Sequence, residues 1–114
     1  MKDGQGEAGH PSREFDPEIM EILPWYVENL LLDLQAVKAA LAAGDWPAIG
    51  VKGHQMRGSG LSFGYGEITD IGGRLESAVQ SGQMDSLGAL VAELEEIIRM
   101  VEREQQNGQG QGQG

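Results

Sequence analysis

Cysteine is absent from the 114-residue chain, which removes disulfides, thiol nucleophiles and thiolate metal sites and fits a reducing compartment. No apolar stretch of signal-peptide type follows Met1, and no apolar run approaches the roughly 20 residues that a membrane helix needs. A cytoplasmic protein with no membrane partner is expected. Basic residues are scarce: 8 Lys and Arg stand against 18 Asp and Glu, for a net charge of −10. Nucleic-acid binding draws on clustered Lys and Arg, so that balance argues against a nucleic-acid partner. No segment alternates apolar and polar residues as a half-buried strand does. What remains is one domain's worth of chain with a helical pattern.

Residues 1–13 are polar, rich in glycine and without an apolar period, and read as a disordered lead. Residues 105–114 are a Gln/Gly low-complexity tail of linker type. The expected folded part is 14–104. Asp16 and Pro17 start a short helix that should end before Pro24. From Pro24 to Ala43, Val27, Leu30, Leu31, Leu34, Val37 and Leu41 repeat at three and four, and Gly44 supplies a stop. Asp45-Trp46-Pro47 opens a third helix in which Ile49, Met56 and Phe63 fall seven apart, with Gly53 and Gly60 interleaved. A fourth runs from about Tyr65 to Gln80, with Ile68, Ile71 and Leu75 on one face. Asp85 is expected to cap a fifth, striped by Leu87, Leu90, Val91, Leu94, Ile98 and Val101. The expectation is an all-α, antiparallel up-and-down four-helix bundle with a short N-terminal cap helix.

The third helix is weaker than its role in a bundle warrants. Each interior glycine costs about 1 kcal/mol relative to alanine, and this helix holds several. It also holds His54, the one histidine outside the lead. At about 100° per residue, His54 lies roughly 160° from Met56 and roughly 140° from Ile49, on the side away from the buried seam. Gly50, Val51, Arg57, Gly58 and Leu61 share that side. Gly50 and Gly58 leave the ring unfenced, Val51 and Leu61 offer apolar contact to a docking partner, and the Arg57 fork matches phosphate oxygens. Neutral imidazole is a competent nucleophile. The blander alternative, a plain surface histidine beside a solvated arginine, loses ground to the combination. Gly53 and Gly60 are explained by helix packing; Gly50 and Gly58 are not.

His54-Gln55-Met56-Arg57-Gly58-Ser59-Gly60 resembles the central motif of the histidine-containing phosphotransfer (HPt) domains of multistep two-component phosphorelays: His, two residues, Lys, Gly, Ser, then a small residue. Gly64-Tyr65-Gly66-Glu67-Ile68 leading to Leu75-Glu76, and Gly44-Asp45-Trp46 before the histidine helix, are also similar to the family pattern. The resemblance covers roughly Phe15 to Val101. It implies that His54 is the phosphoacceptor, that Arg57 takes the place of the usual phosphate-neutralising lysine, and that Gly58 leaves room for the phosphoryl group. It further implies partners among response-regulator receiver domains or a hybrid histidine kinase. The domain would hold no cofactor or metal of its own, the magnesium belonging to the receiver, and would act as a monomeric phosphocarrier without ATP-dependent kinase activity.

Two other classes fit less well. A kinase dimerisation helix usually has an acidic residue directly after its histidine and a proline soon after, whereas Gln55 follows His54 and no proline occurs from Ala48 onward. A carboxylate-bridged metal bundle needs Glu-x-x-His on core helices, and the one literal match, Glu7 to His10, falls in the lead. The runner-up is a phosphorylation-independent helical adaptor that docks receiver or kinase domains through the same surface.

Overall fold

The structure, a computed structural model, describes residues 17–113, with side chains described through 106. The expected lead, residues 1–13, and the Asp16 cap lie outside the described residues. Four α-helices follow one another: α1 (Pro17–Ala43), α2 (Trp46–Ser59), α3 (Gly66–Gln80) and α4 (Leu87–Gln113). Single 3-10 turns precede α3 (Leu61–Phe63) and α4 (Met84–Ser86). Each helix packs on its neighbour in sequence, and α4 closes the bundle against α1. The apolar stripes meet in one core, where Leu30, Ile49, Met56, Ile71, Leu75 and Leu94 are essentially sealed from solvent. Burying each such side chain is worth about 1.5–3 kcal/mol.

The all-α bundle agrees with the expectation; the separate cap helix does not. Residues 17–23 and 24–43 form a single helix with Pro24 inside it. Proline removes one i→i−4 hydrogen bond and crowds the carbonyl four residues back. Pro24 is exposed, so that carbonyl lies on a face open to water, while Leu23, Tyr26, Val27 and Leu30 are buried on either side of it. Continuity of the apolar stripe through the proline holds the two halves in one helix.

The third helix also ends earlier than its seven-residue seam implies. The N–H of Leu61 donates to Thr69 Oγ1 at 2.8 Å instead of continuing the helical ladder. Gly64, at φ 88°, then turns the chain into α3, a left-handed conformation that glycine adopts without a Cβ penalty. Phe63 therefore leaves the seam and stacks on Tyr26 of α1, ring centroids 4.0 Å apart. Asp85 sits within the 3-10 turn, and α4 starts at Leu87. At the far end α4 continues to Gln113, through the segment expected to be a tail. Its last core side chain among the described residues is Val101.

Candidate functional site

Helix α2 starts where Asp45 Oδ1 accepts from the N–H of Ala48 at 3.3 Å, with proline in its first turn. It is otherwise a poor helix former, and tertiary contact with α3 keeps it in place. A Cβ built on Gly53 would come within 2.8 Å of the Gly72 carbonyl oxygen, and one on Gly72 within 2.6 Å of the Arg57 amide nitrogen. Gly60 stands equally close to the backbone of Thr69. The two helices touch backbone to backbone, an approach that glycine alone permits. Gly53 and Gly60 thus do the packing work expected of them, and Gly72 is their counterpart on α3.

That close antiparallel register places α3 side chains beside His54. The imidazole is 62% exposed, and its Nδ1 lies 2.9 Å from Oε2 of Glu76, itself only 13% exposed. Gln80 Nε2 donates to the same oxygen at 3.4 Å. Arg57 Nη1 stands 3.3 Å from the other carboxylate oxygen, and Arg57 Nη2 lies 3.5 Å from His54 Nδ1. A carboxylate can only accept, so the short contact requires a proton on Nδ1. In the neutral ring the lone pair then resides on Nε2, which makes no hydrogen bond among the described residues.

The remaining expected site residues divide. Val51 is 56% and Leu61 69% exposed. Val51 borders a groove of about 350 Å³ that runs between α2 and α3 from Pro47 past Gly50 to His54 and Gln80. Leu61 lies outside that groove, in the turn after α2. Gly58 is open: a Cβ there would meet nothing within 4 Å. Gly50 is different, since its Cβ would stand 3.3 Å from Val79 Cγ1, so its bareness serves contact with α3 as well as the groove. Arg57 lies on the Nδ1 side of the ring, held by Glu76. Neither Glu76 nor Gln80 was among the residues expected at the site. The available signal was Gly72-Gly73 in the middle of a core helix: paired with Gly53 in an antiparallel hairpin, that glycine pair brings Glu76 opposite His54.

The four-helix bundle thus presents one histidine on an open helical face, with its ring nitrogens distinguished by a largely shielded carboxylate. The family model of the Hpt domain matches residues 21–105, most of the chain, and the chain belongs to that family. Membership places it in phosphorelay signalling, among phosphocarrier modules that work with receiver and kinase domains and are not themselves kinases. No curated protein and no solved structure gives a significant match. Among the described residues, no helix is long and apolar enough to cross a membrane.

Proposed function

We propose that the chain carries a phosphoryl group on Nε2 of His54, taking it from an aspartyl phosphate on a receiver domain, or from a histidine-kinase relay, and passing it to another receiver. The observation that carries this reading is the 2.9 Å contact between His54 Nδ1 and Glu76. It fixes the tautomer that makes Nε2 the nucleophile. In the forward step the Nε2 lone pair forms the N–P bond while the P–O bond of the donor breaks, its electron pair leaving with the donor carboxylate. The ring keeps its Nδ1 proton and becomes an imidazolium, whose charge the Glu76 carboxylate balances. Return of the N–P electron pair to Nε2 in the onward step restores the starting ring, so no net proton transfer is required.

Arg57 supplies positive charge to the phosphoryl oxygens, Gly58 leaves space above the ring, and Gly50, Val51 and Leu61 contribute to the surface on which the partner docks. The partner provides the metal and the aspartate. Incubation with a phosphorylated receiver, followed by assay for acid-labile, base-stable phosphate, tests the reading: the wild type takes label and His54→Gln takes none. An unlabelled wild type, or equal label on both, overturns it, and stable receiver binding without label would point to an adaptor instead.

A further inference from the structure

Arg57 is already occupied. Its Nη1 lies 3.3 Å from Glu76 Oε1, and Gly73 leaves its side-chain stem room on α3, where an added Cβ would stand 3.4 Å from Arg57 Cδ. The hold is nevertheless loose. Glu76 Oε1 is buried yet receives no hydrogen bond of acceptable geometry, and the arginine side chain is half exposed. The same carboxylate binds the imidazole firmly through its other oxygen, at 2.9 Å. A phosphoryl group on Nε2 would offer the guanidinium several charged oxygens on the opposite edge of the ring that it already borders.

We propose that Glu76 holds Arg57 in reserve: the guanidinium pairs with Glu76 in the free protein and moves to the phosphoryl oxygens when His54 is phosphorylated, while Glu76 stays on Nδ1–H. This rests on the phosphocarrier reading above and adds a second role for Glu76, as a positioning residue that competes for the counter-charge. The competition weakens the phosphorylated state by the worth of the Arg57–Glu76 pair and so favours onward transfer. An arginine kept permanently on the phosphoryl group would retain it more strongly.

A double-mutant cycle separates this role from the one on Nδ1. The equilibrium distribution of phosphoryl group between the chain and a receiver is measured for the wild type, Glu76→Gln, Arg57→Met and the double variant. Glutamine still accepts from Nδ1–H, and whatever its exchange does to the ring is common to both arginine backgrounds and cancels. Exchange of partners requires that Glu76→Gln favour the phosphorylated chain by about two- to fivefold more with Arg57 present than in the Arg57→Met background, the range for a half-exposed ion pair. Arg57→Lys, which keeps the charge, should retain part of that coupling. Additive effects, or coupling of the opposite sign, overturn the proposal while leaving the phosphocarrier intact. A wild type that takes no phosphate overturns both.

Discussion

The glycines around His54 look alike in the sequence and differ in what surrounds them. At Gly58 an added methyl meets nothing within 4 Å, so Gly58→Ala relieves the last turn of α2 of its most flexible residue. It should stabilise the bundle by about 0.5–1 kcal/mol in urea unfolding. Gly58→Leu should likewise leave the bundle folded by circular dichroism while blocking phosphotransfer, because its side chain fences the ring; undiminished transfer would remove the argument for open access. At Gly72 the same methyl would sit 2.6 Å from both the Arg57 nitrogen and the Gly53 oxygen. Those are backbone atoms, so α2 and α3 must separate. Gly72→Ala should therefore cost about 1–3 kcal/mol, as overpacking does, and lower transfer as well by drawing Glu76 away from His54.

At the scale of helices, Pro24 shows how far local rules reach. A proline inside an exposed helical stretch is a sound signal for a boundary, and it misplaces one here because Leu23, Tyr26 and Val27 bury on both sides of it. Pro24→Ala restores the missing hydrogen bond and should stabilise the protein by about 1–2 kcal/mol, less than the full interior penalty because the freer unfolded chain offsets part of it. No gain in the unfolding midpoint would mean that α1 is not continuous through residue 24. The four core helices were legible because their apolar stripes repeat at helical spacing, from Leu30 to Val37 and from Leu87 to Val101, whereas the early end of α2 was not, because it depends on Thr69 across the turn. His54 and the open position at Gly58 were legible for the same reason, since one wheel places both. Glu76 was not, because its role depends on which residues of α3 lie across from α2. That register is set by glycine-to-glycine contact, and neither helix carries it alone. Arg57 was legible as a cation near the ring, but its pairing with Glu76 was not, for the same reason.

For the molecule as a whole, one group on α1 and one on α4 contribute to how stability changes at the extremes of pH. On the acid side, a hydrogen bond from Lys38 on α1 holds Glu95 on α4 below its usual carboxylate range, helped by Arg99. Its contribution is in place above the ordinary value of about 4.5 and is lost as pH falls through the lowered one. Lys38→Met should weaken the protein at neutral pH and flatten its acid transition. On the alkaline side, burial raises the Tyr26 hydroxyl above its usual 10.0, with a weak hydrogen bond to Ser59 acting against the shift and Asp33 adding to it. The unfolded chain gives up this proton first, so stability falls as pH rises from about 10 toward the raised value. Tyr26→Phe keeps the ring that stacks on Phe63 and removes the ionisation; the hydroxyl it loses lies 3.5 Å from Ser59 Oγ. The variant should match the wild type to within about 1 kcal/mol at pH 7, the worth of one modest hydrogen bond, and surpass it in urea unfolding above pH 10. Parallel alkaline curves for the two proteins would show that ionisation of Tyr26 does not limit stability there.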